Sequence, residues 1–139
     1  MTKEEDITKN LTLIEYYKQQ LESIEMQLQY LQSTLMDYQR AKMTVEQLST
    51  VDQNSDILIP VGAGTFVNGS LKNASNVLIG IGAGVVLEKS VDEAVKKLDE
   101  RIQRIQENLD KMASLGQKIQ CDAEELSRKT QQMMDETQR

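Results

Sequence analysis

Histidine and tryptophan are absent from this chain of 139 residues, and cysteine, proline and phenylalanine occur once each. Each gap removes a class of function. Without His the usual general base at neutral pH is missing, and so is the commonest metal ligand. A single Cys makes neither an internal disulfide nor a Cys-rich zinc site. Aromatic residues make up 4% and charged residues 27%, thin material for a compact core and better suited to long helices that bury one stripe. Lys and Arg (16) are outnumbered by Asp and Glu (22), for a net charge of −6, so phosphate-driven nucleic-acid binding is a poor fit. The longest nearly apolar run, Val77 to Leu87, has eleven residues with three Gly, short of the roughly 20 needed to span a membrane. The N-terminus, Met1-Thr2-Lys3-Glu4-Glu5-Asp6, has no apolar h-region, so no signal peptide is expected. The expected home is a reducing cytoplasm, with neither nucleic acid nor membrane as partner.

What is present divides into three blocks. Residues 1–50 hold 5 basic and 8 acidic residues and no Gly or Pro. Residues 51–89 hold 2 basic and 3 acidic residues, six of the seven Gly and the only Pro. Residues 90–139 hold 9 basic and 11 acidic residues and one Gly. The flanks are helix material and the middle is strand-and-turn material.

Both flanks follow heptads. In the first, Ile7, Ile14, Leu21, Leu28, Leu35 and Lys42 are a positions, and Asn10, Tyr17, Ile24, Leu31, Tyr38 and Val45 are d positions. In the third, Val95, Ile102, Leu109, Gly116, Ala123 and Thr130 form the a series. Val91, Leu98, Ile105, Met112, Ile119, Leu126 and Met133 form the other. A strict 3.5 period implies left-handed supercoiling against a partner. Thr2 with Glu5, and Ser90 with Glu93, fit capping boxes at the two helix starts. The expected helices, 2–50 and 90–137, are nearly equal, each roughly 70 Å long at 1.5 Å per residue. They can fold back as an antiparallel pair whose partners' numbers sum to about 140, such as Leu28 with Met112.

The middle block repeats itself. Ile57 to Val67 aligns with Val77 to Leu87 at an offset of 20 residues, each copy a β-branched strand, a Gly-Ala-Gly turn and a second strand. Each reads as a β-hairpin. Ile57, Ile59 and Val61 alternate onto one face, as do Val77, Ile79 and Ile81. Two such hairpins need another layer, and their edges invite other chains, so this block is expected to assemble with further subunits.

Catalytic readings are weak. Gly62-x-Gly64 and Gly80-x-Gly82-x-Gly84 lack the third glycine and the following helix of a dinucleotide loop, and turn glycine is the better reading. Carboxylate pairs such as Asp99-Glu100 and Glu124-Glu125 fall on long helices as a solvated face. Cys121 falls at an f position among Asp122, Glu124 and Glu125, which gives no ground for a reactive thiol. No enzyme, cofactor or metal site is expected.

The termini are more informative. Gly116, Ala123 and Thr130 are small a residues that bury little area, so the seam is expected to loosen toward the end carrying both termini. There Leu11 (e), Leu13 (g) and Tyr16 (c) spread beyond the seam, with Met133 and Met134 on the other helix. They either mark an adaptable interaction site or finish the coiled coil, and periodicity alone does not choose.

Long helix, Asp56-Ile57-Leu58-Ile59-Pro60-Val61-Gly62-Ala63-Gly64-Thr65-Phe66, Val77-Leu78-Ile79-Gly80-Ile81-Gly82-Ala83-Gly84, and long helix together closely resemble the α subunit of prefoldin, archaeal type. The two-hairpin middle is the specific part, and the resemblance covers essentially residues 1–139 as one domain. It implies an α+β fold: a long antiparallel two-helix coiled coil joined by two β-hairpins that assemble into an oligomeric β-barrel platform. It also implies a hexamer of two α and four β subunits. Coiled-coil tips of that hexamer capture non-native polypeptides and pass them, without ATP, to a group II chaperonin. By position, the oligomerisation residues would be Ile57, Ile59, Val61, Val67, Val77, Ile79, Ile81, Val85 and Leu87, within 51–89. By location and polarity, client contact would fall to Ile7, Leu11, Leu13, Ile14, Tyr17, Leu126, Met133 and Met134. The alternative of another class is a coiled-coil tether or adaptor that binds one folded partner.

Overall fold

A computed structural model describes residues 2–138. The elements run α1 (Lys3–Gln47), a short 3-10 turn (Leu48–Thr50), β1 (Asp56–Gly62), β2 (Thr65–Ser70), β3 (Asn76–Gly82), β4 (Val85–Ser90) and α2 (Val91–Thr137). The described residues fall into two compact units, 2–34 with 105–138, and Leu35–Arg104. They are called the helical unit and the hairpin unit below.

Helix α1 starts on a closed capping box. The Glu5 amide donates to Thr2 Oγ1 at 3.2 Å and the Thr2 amide donates to Glu5 Oε2 at 3.4 Å. Helix α2 starts directly at the end of β4. Ser90 pairs with Asn76 as the last rung of that ladder, and its hydroxyl accepts from the Glu93 amide at 3.2 Å. One residue therefore ends the strand and caps the helix.

In the helical unit the two helix stretches pair antiparallel. Lys3 Nζ meets Glu136 Oε2 at 3.0 Å, and Asn10 Nδ2 donates to Met133 Sδ at 3.7 Å. A Cβ built at Gly116 would lie 3.3 Å from Ile24 Cγ2. These partners' numbers sum to about 140, as the matched heptad seams require. The expected loosening toward the termini does not occur. Ile24, Ile119, Ala123 and Thr130 are all buried, Thr130 to 2% exposure. Small residues bury little area themselves, but they let the facing helix come close, so Ile24 seats against the Gly116 backbone. The Thr130 hydroxyl is satisfied within its own helix, donating to the Leu126 carbonyl at 2.7 Å.

In the hairpin unit one a position carries a charge. Lys42 replaces an apolar a residue and its ammonium reaches Asp99 Oδ1 of α2 at 2.6 Å, with Glu46 at 3.7 Å. The hydrogen bond to Asp99 is the main influence holding the Lys42 ammonium above its ordinary 10.5, with desolvation opposing it and the two carboxylate charges adding to it.

The hairpins are two separate two-stranded antiparallel sheets, β1–β2 and β3–β4, with one register. Ile59 faces Val67 and Gly62 faces Thr65 in the first; Ile79 faces Leu87 and Gly82 faces Val85 in the second. Val61 and Ile81 are extra residues, each forming a bulge next to the turn. The turns are two-residue loops with both φ positive: Ala63 (50°) with Gly64 (72°), and Ala83 (52°) with Gly84 (75°). That is the type I′ geometry whose twist matches the flanking strands. Gly62 and Gly82, at 108° and 113°, carry the bulge into the turn, a conformation that a side chain would strain.

Candidate functional site

No group of three or more His, Cys, Asp or Glu side chains among the described residues is arranged to hold a metal ion. No helix among them is long and apolar enough to cross a membrane. What the chain offers is apolar surface, in two places.

The first is the hairpin unit. Residues facing one another across a ladder share a face, so Ile57, Ile59 and Val67 form one face of the first hairpin, and Val77, Ile79 and Leu87 one face of the second. Of the nine assigned platform residues, Ile57, Ile59, Val61, Val67, Ile81, Val85 and Leu87 are exposed and Val77 is half-buried. Ile79 differs. It is only 8% exposed, so its own chain already covers it. In the same unit Ala94 and Leu98 are buried, and the Arg101 guanidinium donates to the Gly80 carbonyl. The alternation argument also missed the reverse faces. Leu58, Phe66, Leu78 and Val86 are among the most exposed apolar side chains of the strands. The signal was present: Ile57-Leu58-Ile59 and Val77-Leu78-Ile79 are continuous apolar runs, the pattern of strands covered on both faces.

The second surface lies in the helical unit, near the chain termini. Leu11 and Leu13 are exposed, whereas Ile7, Ile14, Tyr17, Leu126, Met133 and Met134 are half-buried in or beside the seam. The eight do not form one patch. Leu13, Tyr17 and Leu126 line a groove of about 200 Å³ together with Asp122, Glu125 and Lys129. Ile14 lines a different flank, with Leu21, Ala123 and Lys18. Leu11 lies beside Tyr16 on the outer side of α1. A further apolar groove of about 400 Å³, formed by Tyr30, Leu31 and Met112 with Gln27, Asn108 and Lys111, was not anticipated. Met26, Tyr30 and Leu115 are exposed in this unit, and Met36 and Met43 in the other. All five sit off the a and d series, where heptad counting does not look.

Comparisons with known proteins agree with this architecture. A family model described as prefoldin subunit matches residues 17–138. The prefoldin subunit alpha of Methanosarcina barkeri is 33% identical over 121 residues, covering 84% of this chain and 84% of that protein. The prefoldin subunit alpha of Archaeoglobus fulgidus is 28% identical over 126 residues, covering 91% of this chain and 92% of that protein. Among solved structures, filamentous PFD from Methanocaldococcus jannaschii superposes with a TM-score of 0.73 at 19% identity, covering 83% of this chain and 95% of that one. The prefoldin beta subunit from Thermococcus strain KS-1 superposes with a TM-score of 0.59, also at 19% identity, over 91% of this chain and 90% of that one. These two establish likeness of fold. With the long helices, the paired hairpins, the family match and the relatives together, the chain belongs to the prefoldin family of chaperone subunits.

Proposed function

We propose that this chain is the α-type subunit of a cytoplasmic, ATP-independent chaperone that holds non-native polypeptides and delivers them to a group II chaperonin. The whole chain, 1–139, acts as one prefoldin-like domain. Its hairpin faces assemble with β subunits into a hexamer of two α and four β chains. Client contact falls to apolar side chains of the helical unit, Ile7, Leu11, Leu13, Ile14, Tyr17, Leu126, Met133 and Met134. The observation that carries the reading is apolar exposure at two separate surfaces of a family member: hairpins with Leu58, Leu78, Phe66 and Val86 in solvent, and helices with Leu11, Leu13 and Tyr16 in solvent. Water-exposed apolar area of this kind favours contact with another chain, at about 25 cal/mol per Å² covered. Capture of many clients requires weak, repeated contacts, and several arms on one platform raise their strength through effective concentration.

The test is aggregation suppression, with the α chain mixed with a β subunit and challenged with several unrelated unfolded proteins without nucleotide. Suppression across the set, from a complex with the mass of two α and four β chains, is the expected result. Tight binding to a single folded protein, with no suppression of any unfolded one, would move the chain to the tether class.

A further inference from the structure

The four outer strand edges of the two hairpins are not alike. In an antiparallel ladder the N–H and C=O of one residue point to the same side, and successive residues alternate between the partner strand and the outer edge. The bonds at the hairpin bases fix which residues point where. Leu71 donates to the Ser55 carbonyl and accepts from the Asn54 amide, so its backbone faces β1. Counting back along an unbroken register, Gly69 and Val67 face β1 too, and Ser70, Asn68 and Phe66 face outward. On β1 the outward residues are Asp56, Leu58 and Pro60. In the second hairpin the Val91 amide donates to the Ser75 carbonyl. The same count turns Asn76, Leu78 and Gly80 of β3 outward, and Val86, Glu88 and Ser90 of β4.

Three of these edges are guarded against a further strand. On β1 the outward Pro60 has no N–H to give, which is where a sheet tolerates proline and how proline stops strand addition. On β3 the outward Gly80 carbonyl is already taken by the Arg101 guanidinium of α2. On β4 the charged Glu88 stands in the middle of the outward row with Lys89 beside it, and the strand runs straight into α2. Strand β2, Thr65–Ser70, has neither proline nor charge, and all of it but Gly69 is exposed. The outward backbone groups of Phe66, Asn68 and Ser70 have no backbone partner among the described residues.

We infer that the outer edge of β2 is a strand-pairing site whose occupant is β2 of a second copy of this chain, running antiparallel about Asn68. The edge is self-complementary, as a two-fold contact requires. Asn68 then faces Asn68, and Phe66 faces Ser70 on either side, for about six backbone hydrogen bonds at two per facing pair. The same operation fails on the other edges. About Leu58 it sets Pro60, without a donor, against Asp56. About Leu78 it needs the Gly80 carbonyl that Arg101 holds. About Glu88 it sets one carboxylate against another. Two strands alone are marginal, and the first hairpin is left exposed by its own chain, Gly69 apart. Pairing makes a four-stranded sheet, β1–β2–β2–β1, with Leu58 and Phe66 of both copies on one face. Pro60 then stands on both outer margins, so the pairing closes at two chains. The inference rests on the reading of the hairpins as an assembly platform and names the contact between its two α-type chains.

The test uses the full-length chain, alone and assembled with a β subunit, in a Cys121→Ser background so that each variant carries one thiol. Asn68→Cys should crosslink into a dimer of this chain under mild oxidation, because facing Cα atoms about 5.5 Å apart suit a disulfide. Glu88→Cys, at the same rung of the second hairpin, should not. Asn68→Pro removes only an outward N–H, as Pro60 does, and should raise the dimer dissociation constant at least about tenfold by light scattering, since each copy loses a backbone bond. Asn68→Ala keeps the backbone donor and should dimerise like the parent. Asn68→Cys that stays monomeric within a complex of hexamer mass overturns the paired edge and leaves the platform reading standing. Glu88→Cys crosslinking as readily as Asn68→Cys, or equal dimer affinity of Asn68→Pro and the parent, also overturns it. If no complex forms with a β subunit and no aggregation is suppressed while Asn68→Cys still crosslinks, the chaperone reading falls and the paired edge stands.

Discussion

The two hairpins share an eleven-residue pattern, a register, a bulge and a turn, yet they stand differently on their own chain. In the second, Ile79 is buried and Arg101 bonds the Gly80 carbonyl. In the first, every residue from Asp56 to Ser70 is exposed apart from the partly covered Gly69. The cause lies in the connections. Strand β4 runs into α2 without a linker, which puts Arg101 within reach of β3. The first hairpin is set between the segments 51–55 and 71–75, and its base is held by Asn54–Leu71 and Leu71–Ser55 backbone bonds of 2.7 and 2.9 Å. Where the second hairpin has Gly80, the first has Pro60. Local sequence specifies a hairpin twice; what the chain continues into decides whether that hairpin is anchored.

The largest expected effect separates the two most sharply. Ile79→Ala should destabilise the isolated chain by about 2–4 kcal/mol, because it opens space in a covered site. Ile59→Ala, the equivalent change in the first hairpin, should cost under about 1 kcal/mol, because that side chain is already 45% exposed and opens no enclosed space. Urea unfolding of both variants checks the pair, and equal costs would erase the distinction. For the same reason Ile79→Asp is a poor probe of assembly, since it damages the subunit first, and a charge at the exposed Ile59 is the cleaner one.

A smaller effect should follow Arg101→Met. Losing one hydrogen bond from a partly exposed guanidinium costs about 1 kcal/mol. Its specific signature is in amide exchange, where protection of β3 and β4 should fall toward that of β1 and β2. Unchanged protection would mean that the clasp does not account for the anchoring.

Lys42 extends the comparison to the helices that flank the hairpins. Its folded-state pKa is raised above 10.5, so the stability it contributes is fully present at neutral pH and is lost as pH rises through that raised value. The difference in thermal midpoint between the parent and Lys42→Gln should hold constant from pH 6 to 9 and shrink above about 10.5. A difference that begins to shrink near neutrality would point to some other group.

The smallest effect should make no distinction between the hairpins. Ala63→Gly and Ala83→Gly each relieve an L-residue held at positive φ, and each should stabilise by about 0.5–1 kcal/mol in thermal unfolding. A gain at one turn and none at the other would mean that the turns, alike in φ, are not alike in strain.

Heptad spacing makes α1, α2 and their pairing readable in the sequence, because every seam residue repeats one geometric demand. The hairpins were readable from Gly-Ala-Gly between β-branched runs. The tight packing at Gly116 and Thr130 was not, since residue size says how much area is buried and not how closely the facing helix approaches. Burial of Ala94 and Ile79 was not readable either, because it depends on docking and not on period. Tyr30, Met26 and Leu115 were passed over because they lie outside the seam, although an exposed tyrosine, methionine and leucine on otherwise polar faces are legible once the seam has been subtracted.

The seat of Ile24 against Gly116 also gives the two helices a direction. Displacing one past the other by a heptad brings Ile24 opposite Ala123 in one sense and opposite Leu109 in the other. Only the first leaves a small residue for Ile24 to ride over. At this one contact the two senses of displacement therefore meet unequal obstacles, a methyl group in one and a leucine side chain in the other.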